Sequence, residues 1–89
     1  MRKRAHVYVS GFVQGVNFRW YTVERARQRG VGGWVRILAD GRVEAVFEGA
    51  EPDVASMVAW CGRGPRSARV TGVDVTWEEP EDLHEFDYE

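Results

Sequence analysis

Residues 11–19, Gly11-Phe12-Val13-Gln14-Gly15-Val16-Asn17-Phe18-Arg19, hold the densest concentration of residue types suited to chemistry in this chain. Two glycines and an asparagine let a backbone curl until consecutive N–H groups point the same way. A helix beginning just after them adds the partial positive charge of its N-terminus, and such a turn binds anions. Arg19 sits where the first turn of that helix would be, and its planar fork of donors matches the oxygens of a phosphate. A cation at a helix start is otherwise disfavoured by the dipole, which favours a ligand-directed role for Arg19. On pattern alone, a tight structural turn remains open as the alternative.

The flanking segments are built to hold this turn between a strand and a helix. Residues 6–13 alternate, with Val7 and Val9 on one side and Tyr8 and Ser10 on the other, the period of a strand. After the turn a helix is expected to about Arg29, burying Phe18, Thr22, Val23 and Ala26, with Asn17 as its side-chain N-cap and Gly30 as its left-handed stop. Residues 33–38 and 42–48 read as two strands joined by Ala39-Asp40-Gly41, a strong hairpin signal. Pro52 opens a second helix with Val54, Met57, Val58 and Cys61 on one apolar stripe, ended by Gly62 and Gly64-Pro65. Residues 68–77 form a further strand with Val73, Val75 and Trp77 on one face, and Phe86-Asp87-Tyr88 suits a short terminal strand. The order β-α-β-β-α-β predicts an α+β, ferredoxin-like split βαβ sandwich: an antiparallel sheet with both helices on one face.

The chain has 89 residues, 44% hydrophobic and 29% charged, which allows one core and excludes two, so 1–89 is read as a single domain. Its core is expected at about 6–78, with 79–89 as an acidic flank. The formal charge of −2 is unevenly spread: residues 1–36 carry +7 and residues 37–89 carry −9. The half containing the glycine-rich turn therefore suits anions. Lone Cys61 excludes a disulfide framework or multi-cysteine zinc cluster, and its place on an apolar stripe suits packing in a reducing compartment. His6 and His84 lack metal-ligand spacing. No run approaches the roughly eighteen apolar residues of a membrane span, and Met1–Arg4 reads as a basic flank to a strand, not a secretion leader. A cytoplasmic, monomeric protein without metal or organic cofactor is expected, with no nucleic acid or membrane partner.

The turn also resembles the signature of the acylphosphatases, G-x-V-Q-G-V-x-[FY]-R. Gly33-Trp34-Val35-Arg36, followed by Asp40-Gly41-Arg42-Val43-Glu44, resembles their second signature, G-W-V-R-N-x-x-D-G-x-V-E. The resemblance extends from about Val7 to about Trp77. It implies the ferredoxin-like fold and hydrolysis of a carboxyl-phosphate anhydride to carboxylate and inorganic phosphate. By the same resemblance, phosphate is held by the amides of Gln14, Gly15, Val16, Asn17, Phe18 and Arg19, with the Arg19 side chain stabilising its charge. One position departs. The family places a water-orienting Asn directly after G-W-V-R, and this chain has Ile37, whose side chain forms no hydrogen bonds. The resemblance thus implies an acylphosphatase scaffold with impaired turnover; a phosphate- or anion-binding module on the same fold is the alternative. The ring-bearing strand motif of RNA-recognition domains, which share the element order, is absent.

Overall fold

Alternating burial organises the first strand. In the computed structural model, which describes residues 1–89, β1 runs Arg2–Phe12 with Ala5, Val7 and Val9 buried on one side. It is followed by α1 (Phe18–Gln28), β2 (Gly32–Ile37), β3 (Val43–Ala50), α2 (Glu51–Cys61), β4 (Arg69–Glu78) and β5 (Phe86–Tyr88). The sheet order is β4-β1-β3-β2-β5. Across β1 and β3, Val7 faces Ala45 and Val9 faces Val43, and these side chains meet Val23, Ala26, Val54, Met57 and Cys61 of the helices in one core. The fold is the expected α+β ferredoxin-like sandwich.

The first helix buries the face anticipated for it. Phe18, Thr22, Val23 and Ala26 are the buried residues of α1, and Gly30 takes the left-handed conformation after its end. Pro52 occupies the first turn of α2, where Val54, Met57 and Cys61 are buried; Val58 is only partly covered, and Trp60 fills the remaining core contact against Phe18 at 5.2 Å between ring centres. The β2–β3 hairpin closes at Asp40-Gly41, with Leu38 N–H donating to Arg42 (2.8 Å) and Gly41 N–H to Leu38 (2.9 Å).

Several expectations need correction. The sheet is mixed, not antiparallel: β5 runs parallel to β2, placing Phe86 beside Gly33 and Tyr88 beside Val35. Residues 79–85 leave β4 at the end of the sheet where β2 begins and cross that end, so the chain can only enter β5 in the direction of β2. The crossing is fixed by fully buried Glu48, whose carboxylate accepts the amides of Glu81 (2.9 Å) and Leu83 (3.0 Å) and pairs with Arg4 at 2.7 Å. Accordingly the core extends beyond 6–78, to Ala5 and to Phe86, which stacks on Phe47 at 5.5 Å. Arg2–Arg4 lie within β1 and not in a flank before it. Val73, Val75 and Trp77 do share the helix-side face, opposite Val9, Val7 and Ala5, but on the outermost strand Val75 and Trp77 remain exposed.

Candidate functional site

The turn between β1 and α1 places its amides by two left-handed residues. Gly15 has φ 74° and Asn17 has φ 61°. Asparagine is among the few side chains that tolerate this conformation. Asn17 therefore does not act as the expected side-chain cap: that role needs an extended backbone, and the Asn17 side chain makes no capping hydrogen bond. Its carbonyl instead accepts Tyr21 N–H at 3.0 Å, the first backbone hydrogen bond of the segment. The amides of residues 14–20 donate to no protein acceptor. Backbone donors left unpaired in this way are free for water or a ligand.

Arg19 projects from the first turn of α1 and is exposed, with no carboxylate within ion-pair distance. It contrasts with Arg4, Arg27, Arg29, Arg36 and Arg42, each of which pairs with an acid. The acid closest in sequence to the β2–β3 turn, Asp40, is held by Arg42 through its amide (3.1 Å) and guanidinium (2.8 Å). Those two hydrogen bonds keep its carboxyl below the ordinary carboxylate range.

A cavity of about 270 Å³ is lined by Val13, Gly15, Asn17, Phe18, Arg19, Trp20, Ile37 and Tyr88. It brings Arg19 together with Ile37, which stands at the end of β2 paired with Val43 and leans on the core. Gly15, Asn17 and Phe18 join them, whereas Gln14 lines a neighbouring depression with Gly15, Asp40 and Gly41, and Val16 packs towards the core. Among nearby polar side chains, Asn17 lines this cavity, whereas Asp40 lines the neighbouring depression. Trp20, which the sequence leaves open as either a core residue or a flank to an acyl group, borders the cavity and is exposed. Tyr88 was not anticipated there, because it arrives through the parallel strand that periodicity does not reveal.

The other groups singled out from sequence lie elsewhere. Burial pushes the Cys61 thiol up to about 12, which removes it as a nucleophile. His6 lies on the opposite face of the sheet between Glu44 (2.6 Å) and Glu78 (2.9 Å). His84 is exposed in the crossing segment. No three His, Cys, Asp or Glu side chains are grouped closely enough to hold a metal ion.

Sheet order, helix placement and a turn of unpartnered amides between β1 and α1 together define a ferredoxin-like α+β domain. The acylphosphatase family profile matches residues 5–88. An acylphosphatase of Chloroflexus aurantiacus is 61% identical over 77 residues, covering 86% of this chain and 84% of the relative; one of Haloarcula marismortui is 57% identical over 84 residues, covering 94% and 92%. The crystal structure of acylphosphatase from Bacillus subtilis superposes with a TM-score of 0.92 at 36% identity, covering 99% of this chain and 98% of that one. The chain belongs to the acylphosphatase family, enzymes that act on small acyl phosphates.

Proposed function

We propose that this chain hydrolyses an acyl phosphate by attack of water on phosphorus, with the phosphoryl oxygens held by the amides of residues 14–19 and the Arg19 side chain. The P–O bond to the acyl oxygen breaks, giving carboxylate and inorganic phosphate. The observation that carries this reading is the run of amides without internal partners in a turn whose Gly15, Asn17 and Phe18 line the same cavity as Arg19, an arginine with no acid partner. Such preorganised donors stabilise charge without reorganising during the reaction. The departing carboxylate has a pKa of about 4 in its acid form, so its departure needs no general acid. Positioning and electrostatics suffice, and neither a metal nor an organic cofactor enters the scheme.

Turnover is reduced in this reading because Ile37 presents a hydrocarbon where the family signature has a water-orienting Asn. Losing one such contact costs about 10²–10³ in rate. Steady-state hydrolysis of benzoyl phosphate by the chain and by Ile37→Asn tests this directly. A rise of about 10²–10³ in kcat for Ile37→Asn is expected; an unchanged rate refutes the role given to position 37. The apolar character of Ile37 also supports the second reading, a phosphate-binding module. Phosphate binding without turnover in both proteins would select it.

The reading further takes 1–89 as one monomeric, cytoplasmic domain. Its only cysteine is buried and unpaired, which suits a reducing compartment. Glu44, Glu48 and Glu78 neutralise the basic residues of the open sheet face, which disfavours nucleic acid there. No helix is long and apolar enough to cross a membrane.

A further inference from the structure

We infer that Trp20 and Tyr88 form an acyl-recognition wall beside the phosphate cradle and select aryl or bulky apolar acyl phosphates over acetyl-sized ones. The inference rests on the proposed phosphate site and adds the identity of the group attached to that phosphate.

The cavity has two chemically distinct parts. Gly15, Asn17 and Arg19 supply donors, while Val13, Trp20, Ile37 and Tyr88 supply hydrocarbon and aromatic surface within the same 270 Å³. That volume lies below the roughly 300–1,000 Å³ of typical drug-sized ligand sites, so a phosphate bearing one small ring is a better match than a nucleotide. Trp20 is 51% exposed and Tyr88 47% exposed, although both are large amphipathic rings with a packed core close by. Single exposed rings need no explanation, but two that border one cavity with an unpaired cation do.

Both rings are held in place. Tyr21 meets Trp20 edge to face, with ring centres 5.0 Å apart and planes at 86°. Tyr88 is carried by β5, whose Phe86 is buried against Phe47, and Glu89 N–H donates to the Val35 carbonyl at 2.9 Å. Arg27 of α1 donates to the Phe86 carbonyl at 3.1 Å, which ties β5 to the helix that carries Arg19 and Trp20. The distance between cradle and wall is thereby set by elements and not by a free loop. Ile37 lines the same cavity, at the position assigned to the attacking water and so on the side of phosphorus away from the acyl group.

Calorimetric titration with three non-reacting probes separates wall from cradle: inorganic phosphate, acetonylphosphonate and phenacylphosphonate. The latter two differ only in carrying a methyl or a phenyl group on the carbonyl. The intact chain is expected to bind phenacylphosphonate about tenfold more tightly than acetonylphosphonate, as a few aromatic contacts allow. Trp20→Ala and Tyr88→Ala should each reduce that ratio at least about threefold while leaving the affinity for inorganic phosphate unchanged, and Tyr88→Phe should retain the ratio because the ring, not the hydroxyl, makes the contact. Equal affinity for the two phosphonates in the intact chain overturns the inference. So does an equal loss for all three probes in Trp20→Ala. The underlying phosphate site fails separately, if inorganic phosphate does not bind or binds equally well to Arg19→Gln.

Discussion

The open face of the sheet and the β1–α1 turn both contain arginines, and they treat them in opposite ways. On the sheet face Arg4 bonds Glu48 (2.7 Å) and Glu78 (2.8 Å), Arg36 bonds Glu44 (2.7 Å), and His6 sits between Glu44 and Glu78. Burial opposes ionisation of Glu44 and Glu48, but hydrogen bonds from His6, Arg36 and Tyr8 to the first, and from Arg4 and the Glu81 and Leu83 amides to the second, outweigh it and hold both carboxyls below their ordinary range. The charges there are consumed within the protein. At the turn, Arg19 and the amides of residues 14–20 have no internal partner. A satisfied charge network serves the fold, whereas donors left without partners beside a cavity are available to a ligand.

Exchanging the two roles should fail in both directions, and the largest effect is expected at the turn. Arg19→Gln should lower kcat/KM for benzoyl phosphate about 10³-fold, roughly 4 kcal/mol, through loss of charge stabilisation. The same substitution should change folding stability by no more than about 0.5 kcal/mol in urea titration, as for an exposed side chain without partners. A large loss of stability in Arg19→Gln would mean that the arginine belongs to the fold after all.

Glu48→Gln is the converse and the next in size. Removing its charge leaves the buried Arg4 guanidinium short of a partner and weakens the hold on the crossing segment, costing about 3 kcal/mol in urea titration. Where the variant remains folded, its affinity for inorganic phosphate should match that of the parent chain. Loss of phosphate binding in a folded Glu48→Gln would show that the two regions are coupled, and the contrast between them would collapse.

The residues that sequence made legible are those whose signals are local. Gly15, Asn17 and Arg19 lie within five positions, and Asp40-Gly41 and Pro52 each mark a turn or a helix start by their own backbone preferences. Asn17 shows the limit of such signals, since asparagine suits both an extended cap and a left-handed turn and the sequence does not say which. Glu48 and Tyr88 were missed for a different reason. The Glu48 partners Glu81 and Leu83 lie 33 and 35 positions away, in a segment of carboxylates that reads as a solvated flank. Tyr88 reaches the cavity only because that crossing aligns β5 with β2, and nothing in a three-residue alternation encodes a parallel register. Trp60 fell outside the stripe that the spacing of Val54 and Cys61 suggested, yet it is buried against Phe18.

The smallest effect is expected in the pH dependence of the sheet face, where His6 contacts Glu44 and Glu78, stacks on Tyr8 and meets Trp34 edge to face. Burial opposes its protonation, but the two carboxylate hydrogen bonds outweigh it and raise its pKa above the ordinary 6.5. Its contribution is therefore complete below about pH 6.5 and is lost as pH rises through the raised value. Glu44 and Glu48, ordinarily at 4.5, are shifted downward, so their contribution is complete above about 4.5 and is lost as pH falls through the lowered values. Stability should thus be greatest between these limits and decline on both sides. His6→Gln should flatten the alkaline decline, an effect on the order of 1 kcal/mol, and should lessen the acid decline only in the part due to Glu44, since Glu48 keeps Arg4 and both amides. Thermal unfolding of both proteins across the pH range reads this out. An alkaline decline that persists undiminished in His6→Gln would place the titrating group elsewhere, and a matching change in phosphate affinity would mean that the sheet face is not isolated from the turn.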